Sequence, residues 1–385
     1  MKEMRPSIAR RAFLLLGASI MVSSPAAGQD SLDVWIGTGR GKPSRGIYHT
    51  RLDLRTGRLG GVDLAAEIDG PGFLAMHPDQ QTLYAVGALN GKPSLAAYRI
   101  IRGEGAARLE LRNAVEIGDG GAAHVSVDRT GRTVLTAQYG GGSVAVFALN
   151  EDGSIRRRTQ LIEHRGASMA DPRRQRSPHP HWTGFSPDNR FAFVPDLGLD
   201  KVMIYRVDAA KSRLEPHGHG AVPAGSGPRH MKFHPSGKWI YVLNELDLSV
   251  SVFDYDAEQG TMKIKQTLPT VPKEQLQKER FKSCSEIRVH PNGKFIYAAN
   301  RGHDTITVFR VDSVTGTISV VEREFVRGAT PRNFNLDPSA RWLLAAGQAS
   351  HTLASFAVDA ETGEIAFTGS IVHVPRPICV LFGPP

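Results

Sequence analysis

The chain has 385 residues, with 40 glycines, 24 prolines, 41% hydrophobic content and a formal net charge of +9. That much apolar side chain can fill a large core and excludes disorder, while the Gly and Pro density favours short strands and tight turns over long helices. The positive excess is mild once the first residues are set aside, and no Lys/Arg stripe interleaved with aromatics occurs, which excludes a nucleic-acid partner and favours a small anion.

Residues 1–28 combine a basic start, an apolar run over 13–22 and small residues over 23–28. This is the layout of a removed export signal, and the run is too short for a stable membrane span. The stretch Arg10-Arg11-Ala12-Phe13-Leu14 resembles a twin-arginine signal, so the expected location is periplasmic or secreted. The remainder, 29–385, is expected to form a single domain.

From residue 33 onward one short alternating strand recurs seven times, at 46 (GIYHTRL), 94, 143, 201, 249, 305 and 352 (TLASFAV). The spacing averages roughly fifty residues, as in blade-forming repeats. Each copy is followed by a turn and a further strand start. The last six are each preceded by a hairpin with a turn of the FHPSGKWIYVLN (233–244) or VHPNGKFIYAAN (289–300) kind. Four strands in each of seven repeats predict an all-β, seven-bladed β-propeller of four-stranded antiparallel blades. Residues 375–382 (PRPICVLF) read as an inner strand without a partner, and 33–38 (DVWIGT) as a second strand without an inner one. Their pairing would complete the first blade and close the ring.

Smaller features follow the same frame. Cys284 falls on the sixth blade and Cys379 on the first, so both read as buried small hydrophobes and no disulfide is expected. Residues 140–142 are a hairpin turn, and 164–177 form a basic loop placed as a lid. His217 and His219 are expected in a loop, and 269–282 form an insertion with one or two helical turns. His234 and His290 stand in hairpin turns as structural residues. No metal spacing and no C-x-x-C-H occur, so neither a metal nor another cofactor is expected.

Superposing the hairpins on their turns finds the site. Counting outward from Gly237 sets Arg229 opposite Glu245 across two antiparallel strands. His181, Ser285 and Arg332 take the Arg229 position in other blades, while Arg301 takes the Glu245 position in the sixth. One side of one channel mouth therefore collects His181, Arg229, Glu245, Arg301 and Arg332, with His179 and His230 flanking them.

Three stretches, 178–207 (PHPHWTGF…), 227–245 (GPRHMKFHPSGKWIYVLNE) and 283–309 (SCSEIRVHPNGKFIYAANRG…), resemble the seven-bladed propeller lactonases. That family includes bacterial 6-phosphogluconolactonases and fungal carboxy-muconate lactonising enzymes. The resemblance implies hydrolysis of a sugar or phosphosugar lactone. It also implies a site on His181 (of PHPH), Arg229 (of GPRH), Glu245 (of the terminal NE) and Arg301 (of ANR), four of the five that the repeats single out. His181 is the expected general base, because its ordinary pKa lies close to neutrality, with Glu245 orienting Arg229 or the water. The expected partner is a small anionic or sugar lactone, and the expected state a monomer. A non-catalytic binding propeller and a cycloisomerase that forms a lactone from a diacid are the competing readings.

Overall fold

A computed structural model describes residues 30–103, 106–279 and 281–384; the export-type segment lies outside the described residues. The strands make seven four-stranded antiparallel sheets arranged as a propeller. Six blades run consecutively along the chain. The first is composite: the strand Pro377–Phe382 pairs with Ser31–Thr38, setting Val34 opposite Phe382 and Ile36 opposite Val380. The complementary half-blades read from the sequence thus meet as expected.

Strand alternation explains how the ring holds. Seven buried apolar clusters occur, one at each junction between neighbouring blades. The junction of the fifth and sixth blades packs Trp239, Tyr241 and Leu243 against Ile287, Ile296 and Phe309. Tyrosine hydroxyls in these junctions donate to a glycine carbonyl of the next blade, as in Tyr241 to Gly316 (3.1 Å) and Tyr297 to Gly363 (3.0 Å). Gly316 has φ +72°, and a Cβ there would stand 2.2 Å from the Trp239 ring, so the turn needs glycine twice over.

The hairpin turns carry the structural roles expected of them. His234 links its own turn to the next blade through Nε2 and the Gly293 carbonyl, 2.9 Å apart, while His290 Nδ1 accepts from the Asn292 amide at 3.1 Å. The insertion contains one helical turn, Lys273–Leu276. His217 and His219 correct the sequence reading, because they lie in the outer strand Arg213–Ala221 and not in a loop. Only Leu214 and Gly220 of that strand are buried, so its polar exterior gave no apolar alternation to read. Both cysteines are buried and unbonded. No helix among the described residues is long and apolar enough to cross a membrane.

Candidate functional site

Along each inner strand, one row of side chains enters the blade junctions and the alternate row faces the axis. In the fifth blade Met231 belongs to a junction cluster, whereas His230 and Lys232 point the other way. The mouth residues depart from this simple ladder. Pro228 pairs with Asn244 and His230 with Leu243, so Arg229 is the extra residue of a β-bulge. Arg229 and Glu245 are therefore not a cross-strand pair, as counting from Gly237 had it. The bulge re-aims Arg229, and the side chains still meet, with Arg229 Nε donating to Glu245 Oε2 at 2.9 Å. The sixth blade is shifted likewise. Arg301 pairs with Ser283, and the register breaks between Cys284 and Ile287, leaving Ser285 without the expected partner.

The cluster is centred on Glu245. Its Oε2 lies 2.9 Å from Arg229 Nε, 3.2 Å from Arg301 Nη2 and 4.0 Å from His181 Nε2. Its Oε1 accepts from Arg174 Nη2 at 2.7 Å. Arg229 also donates to the Ser285 carbonyl, while Arg301 donates to Ser283 Oγ at 2.5 Å and the Cys284 carbonyl at 2.8 Å. His181, Arg229, Glu245 and Arg301 are each no more than 5% exposed. The structure thus brings all four sequence-predicted residues into one contact set. Two buried polar atoms in this set have no partner among the described residues: Nδ1 of His181 and Nε of Arg301.

Burial and neighbouring charge act on these groups in opposite senses. Burial, followed by the Arg229 charge, holds the His181 imidazole well below its usual pKa and keeps it neutral. Burial opposes ionisation of Glu245, but the Arg301 and Arg229 charges outweigh it and hold the carboxyl far below the carboxylate range. Burial and the Arg301 charge lower Arg229 to about 9, and the same two causes lower Arg332 to about 10. Both remain cationic at neutral pH, although less comfortably than exposed guanidiniums.

The flanking residues take distinct places. His179 lies stacked on Tyr139, ring centroids 4.5 Å apart, and its Nδ1 meets the Tyr139 carbonyl at 2.7 Å. His230 stands one position further along its strand than Arg229, 5.4 Å from the His181 ring, with Nδ1 3.1 Å from Glu286 Oε1.

Two residues at the mouth escaped the sequence reading. Tyr139 packs edge-on to His181 and accepts from Arg174 at 3.0 Å. It occupies in the third blade the position that Glu245 holds in the fifth, so extending the hairpin superposition to that blade would have found it. Arg174 comes from the basic loop 164–177, which is a pinned wall of the mouth. His164 Nδ1 meets Asp196 Oδ2 at 2.6 Å, Gln175 donates to Asp200 at 2.8 Å, and Ser168 also bonds Asp200. Among the described residues no three His, Cys, Asp or Glu side chains come together in a metal-holding arrangement.

The chain as a whole is similar to known proteins. The family profile "Lactonase, 7-bladed beta-propeller" matches residues 33–382. The chain is 35% identical to the 6-phosphogluconolactonase of Bacillus subtilis strain 168, over 90% of this chain and 97% of that one. It is 31% identical to a 6-phosphogluconolactonase of Formosa agariphila, over 77% of this chain and 83% of the relative. Its structure matches that of the Pseudomonas aeruginosa periplasmic gluconolactonase with a TM-score of 0.84 and 31% identity, covering 92% and 99% of the two chains. By sequence over almost its whole propeller, and by structure, this chain belongs to the seven-bladed β-propeller lactonase family.

Proposed function

We propose that the protein is an exported lactonase that hydrolyses a sugar lactone at the Glu245 mouth, with unphosphorylated aldonolactones as the preferred class. The observation that carries this reading is the pair of unpartnered atoms inside an otherwise satisfied cluster. Nε2 of His181 faces a carboxylate, which favours the proton on that nitrogen and leaves a lone pair on Nδ1. Arg301 Nε is a fixed N–H donor with no acceptor among the described residues. One atom suits a base for water and the other suits an oxyanion.

In the proposed reaction His181 takes a proton from water as the water oxygen attacks the lactone carbonyl carbon. The carbonyl electron pair moves onto oxygen, and Arg229 and Arg301 hold the resulting oxyanion. Collapse breaks the ring C–O bond, and the imidazolium returns the proton to the departing ring oxygen, giving the open hydroxy acid. Glu245 keeps the two guanidiniums oriented and favours the imidazolium as it forms. Arg332, His179 and His230 make up the substrate-binding set, with Arg332 the cation left to donate to the hydroxyls of the lactone.

Location supports the substrate class. Phosphorylated lactones arise inside the cell, whereas the export-type segment 1–28 and the likeness to a periplasmic gluconolactonase favour a sugar lactone met outside. The test is hydrolysis of glucono-δ-lactone and 6-phosphogluconolactone by the chain from residue 29, with and without chelator, beside Arg229→Ala. Chelator-insensitive turnover that collapses in the variant supports the reading. No turnover above the spontaneous rate on either compound defeats it in favour of a binding propeller, and turnover of a muconate-type diacid alone defeats it in favour of a cycloisomerase. N-terminal sequencing of periplasmic protein, with Arg10 and Arg11 replaced by Lys as control, tests export.

A further inference from the structure

The channel is closed at its waist. Phe73, His124, Trp182, His230, Glu286 and Asn333 occupy equivalent positions along the inner edges of six blades, Trp182 just before its strand, and they form a chain of contacts. Phe73 and His124 lie 4.2 Å apart between ring centroids, His124 and Trp182 5.4 Å, and His124 and His230 5.5 Å. Glu286, fully buried, accepts from Asn333 Nδ2 at 2.5 Å and from the Ile287 amide at 3.0 Å, and faces His230 Nδ1. This plug separates the Glu245 mouth from whatever lies beyond it.

Beyond it, at the opposite mouth, is a cavity of about 510 Å³ lined by the inner strands of all seven blades. That volume suits a small molecule. Its floor is the outer side of the plug, with Phe73, His124 and Trp182, and its wall carries Ala75, Leu381 and two cations, Lys232 and Arg288. The cations are four-fifths buried, yet weakly engaged. Lys232 Nζ is 3.9 Å and Arg288 Nη2 3.5 Å from Glu286, both beyond hydrogen-bond range, and Glu286 is already satisfied by other donors. Lys232 donates no hydrogen bond to any described residue and rests over the Trp182 ring, 4.8 Å from its centroid. Arg288 reaches one carbonyl, that of Phe334, at 3.4 Å. Trp182 adds an indole N–H without a partner. The pocket therefore holds two basic side chains against one carboxylate, next to an aromatic floor.

We propose that this axial cavity is a second ligand site, separate from the Glu245 mouth, taking a small carboxylate on a flat apolar ring, with the carboxylate between Lys232 and Arg288 and the ring against Trp182 and Phe73. A single negative charge balances the excess cation and supplies the acceptors that Lys232 and Arg288 lack. A flat apolar ring can lie in offset or edge contact with the aromatic side chains of the floor. Burial, with the Arg288 charge beside it, pulls the Lys232 ammonium down to about 7, and a bound carboxylate would draw it back to the charged form.

The experiment is calorimetric titration of the protein from residue 29 with 2-naphthoate, and with neutral 2-naphthamide for comparison. One equivalent of naphthoate is expected to bind, at least tenfold more tightly than the amide. Arg288→Ala should weaken binding by roughly ten- to hundredfold. Ala75→Phe, which fills the cavity and leaves every charge in place, should abolish it in a chain of unchanged thermal midpoint. Glu245→Gln should leave it intact. The proposal is overturned by no binding at millimolar naphthoate or by equal binding of acid and amide. Loss of binding in Glu245→Gln with retention in Ala75→Phe also overturns it, because the carboxylate would then be seated at the lactonase mouth.

Discussion

Nε2 of His181 stands 4.0 Å from Oε2 of Glu245, the same oxygen that Arg229 and Arg301 approach at 2.9 and 3.2 Å. The histidine is therefore next to a carboxylate whose charge is already shared among guanidiniums, and burial and Arg229 keep it neutral. A neutral imidazole is the form that the proposed base needs in order to take a proton from water at neutral pH. Because its pKa is depressed, it stays ready further into acid than an ordinary histidine. The acid limb of kcat/KM should fall below pH 6.5, the ordinary histidine value. His181→Ala should remove that limb and lower the rate by about 10²–10⁴-fold. If Glu245→Gln moves the limb while His181→Ala does not, the two roles are exchanged.

Arg229→Ala should lower kcat/KM on glucono-δ-lactone by about 10²–10³-fold, the usual cost of one oxyanion donor. Arg229→Lys should recover little of it, because one ammonium cannot serve both Glu245 and the Ser285 carbonyl as the fork does. The alanine variant also removes one of three arginine partners of a buried carboxylate. A loss of stability of about 3 kcal/mol, the lower end for breaking a buried pair, is expected in urea unfolding, since Arg174 and Arg301 remain.

Arg174 reaches Glu245 from the mouth wall, and its side chain is 38% exposed. Arg174→Ala should act on substrate capture more than on chemistry. KM is expected to rise up to about tenfold, the worth of one charge-assisted hydrogen bond, with kcat within about threefold of the parent. Steady-state kinetics at two salt concentrations measures this, and the KM gap should narrow at high salt.

His124, His181 and His230 all have folded pKa values well below the ordinary one, first because of burial and then because of neighbouring basic side chains, His230 for His124 and Arg229 for the other two. For such groups the unfolded chain binds protons that the folded chain refuses. Their contribution is fully present above about pH 6.5 and is lost as pH falls from there toward the folded values. Stability should decline by up to about 4 kcal/mol per pH unit below pH 6.5 if all three resist protonation, since each can contribute about 1.4. Urea midpoints at pH 7.5, 6.0 and 5.0 measure the slope, and His124→Phe should make it shallower.

Val380 of the closing strand is 1% exposed and packs with Leu32, Ile36 and Leu344. Val380→Asp buries a charge without a partner in the one blade made of both chain ends. A loss of more than about 4 kcal/mol is expected. The freed edge of Ser31–Thr38 should also increase aggregation, as light scattering during a thermal scan would report.

The propeller was legible because its repeats share strand alternation and turn chemistry, so blade number, strand order and closure follow from position alone. The four mouth residues were legible for the same reason. The bulge at Arg229 was not, because counting from Gly237 assumes an unbroken ladder, and the extra residue shifts the pairing by one. Tyr139 was recoverable from the repeat, whereas Arg174 was not. It reaches the mouth only because Asp196 and Asp200 tie down an irregular loop, and those contacts span tens of residues without a periodic trace. Glu286 likewise reads as an ordinary strand residue until the inner strands are brought round one axis. His217 and His219 looked like loop residues because an edge strand facing solvent lacks apolar alternation.

The waist formed by Phe73, His124, Trp182, His230, Glu286 and Asn333 also decides how molecules travel. A propeller with an open bore could feed a reaction from one end and drain it from the other, whereas each end of this one is a cul-de-sac. If the lactone is opened at the Glu245 mouth as proposed, the hydroxy acid must back out through the opening by which the lactone arrived, past Arg174 and Tyr139, before the next lactone can be seated. Product and substrate therefore queue for the same passage, and accumulating hydroxy acid would slow turnover by competition even where the hydrolysis itself runs far downhill.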